Sequence, residues 1–224
     1  MGKMERWLVP GVFAAVGVPF LAAGVVLWAV VPQAVADHAQ QMERLPVSTA
    51  ATLKERGAMV MLEGEISDRT PTGDQPPLVA YREYRRVTRD GETEWESWPG
   101  QTPTLWVDLP DGQVEVVAGY QLRSTPSRLE ANQSLRYEGF KVGDPILVVG
   151  NLAVTRPRPQ VNDAEVGYET KAGYLVALAE EEESARWLGI IFVILGSALN
   201  LGAVLAIYLL GGSGGAAPPD STPS

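Results

Sequence analysis

The chain has 224 residues, one histidine, no cysteine and a formal net charge of -9, from 27 acidic and 18 basic side chains. Without thiols there can be no disulfide framework, no cysteine-ligated zinc and no cysteine nucleophile, and one histidine does not make a His-rich metal site. The acidic charge disfavours nucleic acid as a partner. The composition therefore predicts no metal or cofactor and leaves serine and lysine as the only route to a covalent hydrolase.

Two long uncharged runs lie near the ends of the chain, at residues 7–31 and 187–210. As a helix, the first run would be roughly 37 Å long at about 1.5 Å per residue. That length exceeds the hydrocarbon core of a bilayer, about 30 Å. Tryptophan begins each run, at Trp7 and Trp187, as in the aromatic belts of membrane proteins. Both runs are predicted transmembrane helices of a two-pass integral membrane protein.

The first run also allows a second interpretation, as a cleaved signal sequence. Lys3 and Arg6 precede it, and residues 34–36 (AVA) before Asp37 fit the small-x-small pattern of a cleavage site. The apolar core of a signal sequence has about 7 to 15 residues. Since this run is much longer, a retained anchor is favoured, and cleavage stays the alternative.

The charges that flank the two runs predict an orientation. Lys3 and Arg6 stand before the first run, whereas the tail at 211–224 holds no basic residue. The positive-inside rule therefore puts residues 1–6 and the tail in the cytoplasm and residues 37–186 on the opposite side. The tail is rich in Gly, Ser and Pro and is predicted to be disordered. The exported segment, with 25 acidic and 16 basic residues, carries the whole net charge and is predicted to bind no anionic lipid surface.

The exported segment begins with helical signals. Residues 37–57 are predicted to be a polar stalk that continues the first helix as far as Pro46, followed by a short helix at 48–56 with Ser48 as its cap. At the far end, residues 179–186 are predicted to be a juxtamembrane helix that leads into the second span.

Between these helical parts, residues 58–178 change to a period of two, which is the pattern of β-strands. The segments are rich in Val, Tyr, Trp, Leu and Ile, and turn residues separate them. The predicted strands are 58–67, 78–87, 92–98, 103–109, 113–118, 134–139, 145–155 and 168–177.

Turn residues also predict how some strands pair. The Asp-Gly dipeptide at 90–91 predicts a two-residue hairpin, in which Arg85 lies opposite Glu96 and Arg86 lies opposite Trp95. Charge pairing and cation-π contact both favour that register.

Two further turns complete the predicted domain. Residues 110–112 (PDG) predict a second hairpin, and residues 143–145 (GDP) open the most apolar strand, which we expect at the centre of the sheet. The sequence therefore predicts a fold that is mainly β with flanking helices. We expect an antiparallel, barrel-like domain of seven or eight strands between two transmembrane helices.

Along residues 7–210 a predicted membrane anchor is followed by VMLEGEI at 60–66, PLVAYREYRR at 77–86, TLWVDLPDGQVEVV at 104–117, RYEGFKVGDPILVVGNLAV at 136–154, GYLVAL at 173–178 and a closing membrane helix. This order of segments resembles the GIDE domain of membrane-embedded E3 ubiquitin ligases of mitochondria and chloroplasts, and of prokaryotic relatives. The resemblance implies a GIDE-type fold beside the membrane, on the side opposite the cytoplasm, that binds client proteins.

In those ligases a RING finger after the second helix transfers ubiquitin. A RING finger needs Cys and His to hold two zinc ions, and the 14 residues at 211–224 contain neither. The chain therefore resembles a RING-less relative, and no catalytic residue is carried over from the family.

Residues 81–86 (YREYRR) hold the candidate protein-binding side chains, Tyr81, Arg82, Tyr84 and Arg86. They can form an exposed aromatic and basic recognition strip. Cross-strand pairing with the glutamates at 92–96 explains the same pattern without any ligand. Both interpretations stay open at this point.

In the second predicted span, Ala198, Gly202 and Ala206 recur every four residues and form a small-residue stripe that another helix can approach closely. Asn200 lies in the same span, and an amide within a membrane requires a hydrogen-bond partner. Packing between the two helices of one chain and homo-oligomerisation fit this pattern equally well.

The function expected from these features is non-enzymatic: the exported domain binds or scaffolds other envelope proteins. A membrane-tethered serine hydrolase is the alternative from another class, although no spacing here matches a Ser-Lys motif. A third possibility is an accessory subunit of a complex in which another chain supplies the RING.

Overall fold

A computed structural model describes residues 5–73, 76–154 and 158–211. Between a long helical part at each end, the chain is mainly β. It divides into two compact units, a helical unit whose described residues are 5–40 and 177–211, and a β domain within residues 41–176.

The N-terminal helical part consists of α1 (Glu5–Val25), a π-helical turn (Val26–Val30) and α2 (Val31–Arg44), and the C-terminal part is one helix, α3 (Lys171–Gly211). Two helical stretches, Ala15–Arg44 and Lys171–Tyr208, are long and apolar enough to cross a membrane. Of the 18 most apolar consecutive residues in each stretch, only 17 % and 11 %, respectively, are buried. Helix α2 ends at Arg44, before Pro46, where the end of the first helix is predicted. Residues 179–186 are helical as predicted, within the unbroken α3. The roles of these segments as a stalk and a juxtamembrane helix stay predictions.

Glycines let α1 and α3 pack closely in the helical unit. A side chain at Gly24 would lie 2.6 Å from the backbone nitrogen of Val193, and one at Gly196 would lie 2.6 Å from the backbone nitrogen of Leu21. Phe20 and Phe192 stack with their ring centroids 5.4 Å apart. Close approach of this kind is how small residues promote association between apolar helices.

The β domain contains ten strands within the described residues. They are β1 (Met59–Ile66), β2 (Ala80–Arg89), β3 (Glu92–Gln101), β4 (Leu105–Leu109), β5 (Gly112–Val116), β6 (Gln121–Leu122), β7 (Ser127–Asn132), β8 (Leu135–Phe140), β9 (Pro145–Val154) and β10 (Gln160–Gly167).

Five of these strands close a barrel. Strand β1 pairs antiparallel with both β4 and β9, β4 pairs with β5, and β9 pairs with β10. The ring is closed by parallel pairing of β5 with β10. This connectivity, with one parallel pair between the third and fifth barrel strands, is that of a five-stranded Greek-key barrel of the OB type.

The barrel core follows the alternation of each strand. Val60, Leu62 and Ile66 point inward from β1, and the core includes Val107 from β4 and Val148 from β9. All are at most 5 % exposed. At the inward position between them, Gly64 is needed because a side chain there would lie 2.5 Å from the Asp108 carbonyl oxygen.

The other large sheet is built from two insertions into the barrel, in the order β3-β2-β8-β7. The hairpin β2–β3 lies between β1 and β4, and the hairpin β7–β8 lies between β5 and β9. The two hairpins join through antiparallel pairing of β2 with β8. Ala80 and Phe140, at the base of this sheet, belong to the barrel core and anchor it.

Inside the β domain, Lys171 ties the ends of the long helices to the barrel. Its ammonium group donates hydrogen bonds to the carbonyls of Glu43, at 2.7 Å, and Leu45, at 2.6 Å. These carbonyls lie at the C-terminus of α2, which favours a cation. The backbone N–H of Lys171 donates to the carboxylate of Glu63 on β1 at 2.7 Å, which satisfies one free donor at the start of α3.

Both predicted hairpins are confirmed. Asp90 and Gly91 have φ of 53° and 85°, and the pairs Arg85 with Glu96 and Arg86 with Trp95 have the predicted register. Strand β9, which follows the turn at 143–145, lies between β1 and β10 as expected.

Two predicted elements are wrong. Residues 168–177 do not form a strand, because Thr170 accepts a hydrogen bond from the N–H of Gly173 and α3 begins at Lys171. The last barrel strand, β10, lies just before this point. The helix predicted at 48–56 is a single 3₁₀ turn, Ala50–Thr52. Its cap is Thr49 and not Ser48, and the backbone becomes extended at residue 53.

We predict that Gly24→Leu weakens packing in the helical unit by about 1 to 3 kcal/mol, because the new side chain meets backbone atoms of α3 that cannot move aside. Gly202→Leu is the matched control, since a side chain there would have no neighbour within 4 Å. Unfolding of both variants by denaturant in the same detergent measures the difference. Equal destabilisation by the two substitutions would contradict this packing.

Candidate protein-interaction surface

The four-stranded sheet has two faces of opposite charge, because side chains alternate along each strand. We name one the arginine face; it consists of Arg82, Tyr84, Arg86, Trp95, Arg128, Glu130, Arg136 and Glu138. The other, the glutamate face, consists of Tyr81, Glu83, Arg85, Val87, Arg89, Glu92, Glu94, Glu96, Trp98 and Tyr137. The strand registers fix both sets.

The arginine face is organised around Arg136 of β8. Its guanidinium carbon lies 4.6 Å from the ring centroid of Tyr84 and 4.8 Å from that of Trp95. Its Nε lies 3.2 Å from a carboxylate oxygen of Glu138. Because the Arg136 side chain is only 12 % exposed, these contacts are partly shielded from water and hold three strands together.

Beside this cluster, Arg82 and Arg86 carry charges without a partner. In the described ranges neither guanidinium has an ion pair or a side-chain hydrogen bond. The arginine face has four arginines and two glutamates, a net charge of +2, in a chain whose net charge is -9. A basic, partly aromatic patch on an acidic protein is suited to an acidic partner.

On the glutamate face the arginines are already engaged. Arg85 lies over the ring of Trp98 at 4.2 Å and pairs with Glu83 at 2.6 Å, and Arg89 pairs with Glu96 at 3.2 Å. This face has four glutamates and two arginines, a net charge of -2. An open hollow of about 360 Å³ near the hairpin turn is lined by Val87, Arg89, Asp90, Glu92, Glu94, Trp95 and Glu96.

The structure separates the predicted strip. Arg82, Tyr84 and Arg86 share the arginine face, whereas Tyr81 lies on the other face, where it is buried and its ring packs edge-on against Tyr137 at 5.2 Å. Burial raises the pKa of the Tyr81 hydroxyl. Pairing with residues 92–96 occurs in the predicted register, but only Arg89 with Glu96 forms an ion pair across these two strands.

Sequence reasoning missed Arg136, which is the centre of the arginine face. The signal was present as alternation in RYEGF, where Arg136 and Glu138 share one face of a strand. The sequence does not show that β2 pairs with β8, because about fifty residues of chain separate the two strands. A local pattern does not fix a long-range neighbour.

A second polar cluster, inside the β domain, is structural. Arg123 lies over the ring of Tyr174 at 4.5 Å, between the carboxylates of Glu165 at 3.7 Å and Glu169 at 3.6 Å. The Tyr174 hydroxyl donates to Glu165 at 3.2 Å. Burial raises the pKa of this hydroxyl above its ordinary value. The cluster fixes the first turn of α3 on β10.

The predicted helix-packing residues fall into two groups. Asn200 lies at the packed seam, where its amide is 2.8 Å from the position of a side chain at Gly17 and donates to the Gly196 carbonyl at 2.7 Å. Ala198 is exposed, and Gly202 has open space around it. Ala198 and Gly202 therefore lie outside the close seam with α1, and the role of the stripe of Ala198, Gly202 and Ala206 in contacts with another chain stays a prediction.

No group of three or more His, Asp or Glu side chains within the described residues is arranged to hold a metal ion. Comparison of the chain with protein-family models, with curated proteins and with solved structures finds no match.

We predict that Arg136→Met lowers the free energy of unfolding of the four-stranded sheet by about 1 to 2 kcal/mol, because two cation-π contacts and an ion pair are lost together. Arg128→Met is the matched control: its side chain is 56 % exposed and pairs only with Glu130. The control should change stability by less than about 0.5 kcal/mol. Hydrogen exchange of the β3 and β8 amides measures the stability of the sheet in both variants. An unchanged exchange rate in Arg136→Met would show that the contacts of Arg136 do not hold the sheet together.

Proposed function

We propose that this chain is a two-pass membrane protein whose β domain, on the side opposite the cytoplasm, binds or scaffolds other proteins through the four-stranded sheet. The observation that carries the proposal is the arginine face, where Arg82 and Arg86 are unpaired beside Tyr84 and Trp95. Arginine and aromatic residues are enriched at protein interfaces.

The exposure of the helical unit supports membrane insertion. Large apolar side chains along α3 are exposed, such as Ile194 at 63 % and Leu201 at 69 %. An apolar surface of this extent is typical of contact with lipid or with another protein and not with water. The basic residues Lys3 and Arg6, against a tail with none, support cytoplasmic termini.

The architecture of the β domain supports a binding role for the sheet. The barrel closes without β2, β3, β7 or β8, so the sheet is not needed to complete it. Ordered hairpins that contribute little to a barrel core, and carry exposed charged faces, are suited to recognition. The OB-type barrel alone does not assign a function, and the acidic charge of the chain argues against nucleic acid.

The order of segments supports a GIDE-type assignment within this proposal, since the resemblance implies a client-binding domain beside the membrane. The 224 residues contain no cysteine and one histidine, so they cannot form a RING, and the proposal concerns protein binding by the β domain.

We predict that cysteines introduced at Gln133 and Ser213 label from opposite sides of the membrane. Gln133 lies exposed in the turn between β7 and β8, and the native chain has no competing thiol. In intact cells a membrane-impermeant maleimide should label Gln133→Cys, and it should label Ser213→Cys only after permeabilisation. Equal access to both positions before permeabilisation would contradict the two-pass orientation.

We predict that the double variant Arg82→Glu and Arg86→Glu recovers at least tenfold less of the cross-linked partner proteins than the native chain, because the charge of the arginine face is reversed. Arg44→Glu with Arg56→Glu makes the same charge change at two exposed arginines away from the sheet and is the control. Quantitative mass spectrometry of detergent extracts measures recovery, and circular dichroism confirms folding. Identical partner recovery from both double variants would remove the arginine face from the proposal.

A further inference from the structure

The outer edge of β3 is an unpaired strand edge. Strand β3 lies at the end of the sheet order and, within the described residues, pairs only with β2. Its residues are exposed except for Trp95, which is partly buried. An exposed edge of this kind carries N–H and C=O groups that another strand can pair with.

The register shows which backbone groups are free. The two-residue turn at 90–91 makes Arg89 and Glu92 a pair that exchanges backbone hydrogen bonds. Because hydrogen-bonded and non-hydrogen-bonded pairs alternate along an antiparallel ladder, the N–H and C=O groups of Glu94 and Glu96 also point toward β2. In agreement, the N–H of Arg86, opposite Trp95, donates away from β3 to Ser134 at 2.9 Å. The N–H and C=O groups of Thr93, Trp95 and Ser97 therefore point outward from the sheet.

The free edge has defined ends. The hairpin turn bounds it on one side, and Pro99, which has no N–H to donate, bounds it on the other. The stretch from Thr93 to Ser97 spans roughly 14 Å at about 3.4 Å per residue. This length accommodates an added strand of about five to seven residues.

The side chains along the edge select the chemistry of an added strand. Glu92, Glu94 and Glu96 project on the glutamate face, and of these only Glu96 has an ion pair in the described part of the chain. On the side of the sheet that carries the arginine face, the edge presents Thr93, Trp95 and Ser97. An incoming strand therefore meets carboxylates at alternate positions on one face and a ring between two small hydroxyl side chains on the other.

This arrangement disfavours a second copy of the chain as the occupant. Antiparallel pairing of two β3 edges would place glutamate rows opposite each other on the same face, and like charges directly opposite are destabilising. A strand with lysine or arginine at alternate positions would instead complement the row.

We infer that the β3 edge binds an extended segment of another protein by strand addition, with Lys or Arg opposite the glutamates and apolar or β-branched residues opposite Thr93, Trp95 and Ser97. This inference rests on the proposed protein-binding function, but it depends on the outward backbone groups of β3 and on its glutamates, and not on Arg82 or Arg86. Backbone hydrogen bonds supply the affinity and the alternate side chains supply the specificity.

The test uses the full-length chain in detergent with three synthetic heptapeptides. These are an alternating Lys-Val sequence, a peptide of the same composition with its lysines and valines in separate blocks, and an alternating Glu-Val sequence. The alternating Lys-Val peptide should bind at least tenfold more tightly than either of the others. It should also slow hydrogen exchange of the Thr93, Trp95 and Ser97 amides. Equal binding of the two lysine peptides, or unchanged exchange at these amides, would overturn the inference.

Two variants separate the contribution of the backbone hydrogen bonds from that of the glutamate side chains. Ser97→Pro removes an outward N–H without removing a ladder bond to β2, and it should abolish protection of the edge while circular dichroism stays unchanged. Glu92→Gln with Glu94→Gln should weaken binding at least tenfold, whereas Glu55→Gln with Glu180→Gln, at two other exposed glutamates, should not. Native-like binding by Ser97→Pro, or equal losses in the two glutamine pairs, would count against strand addition. If the peptides fail while the arginine-face variants still lose their partners, the proposed function stands and this inference does not.

Discussion

The parallel pairing of β5 with β10 is the constraint on which the β domain depends. It brings Val116 beside Val161, and it is extended by hydrogen bonds from Glu115 N–H to the Pro159 carbonyl at 3.0 Å and from Val117 N–H to the Val161 carbonyl at 2.8 Å. Without this pair the five strands would form an open sheet in which the β5 edge is exposed and the β10 edge is covered only where β6 pairs with it. With it, every barrel strand has two neighbours, and the alternate apolar side chains enclose one core.

Because the barrel closes on itself, the two inserted hairpins can differ in character from the core. They meet through β2 and β8 and are anchored at Ala80 and Phe140, which lie in the barrel core. Beyond this anchor the sheet relies on cross-strand pairs such as Tyr84 with Arg136 instead of burial. A surface held in this way can carry opposite charges on its two faces, while the edge of β3 remains unpaired.

The sequence allowed prediction of local pairing but not of long-range neighbours. The hairpin register was predictable because an Asp-Gly turn with positive φ fixes which residues oppose each other. The face of each candidate was also accessible, since alternation alone separates Tyr81 from Tyr84. Two features could not be predicted from the sequence, namely the start of α3 and the pairing of β2 with β8. The apolar run at 173–178 has strand-like composition, and only the cap at Thr170 shows that a helix has begun there. The pairing of β2 with β8 depends on two insertions meeting in space, which no local pattern encodes.

The helices show how spacing decides which small residues make a seam. Gly189 and Gly196 are seven residues apart, two helical turns, so they recur on one side of α3, and Gly17 and Gly24 have the same spacing in α1. All four are buried, and side chains at these positions would contact the opposite helix. The stripe of Ala198, Gly202 and Ala206 advances by four residues and has different angular positions on α3. The glycine seam supplies the close approach between α1 and α3, whereas Ala198 is exposed and a side chain at Gly202 would have no neighbour within 4 Å, so these two positions are accessible to another helix.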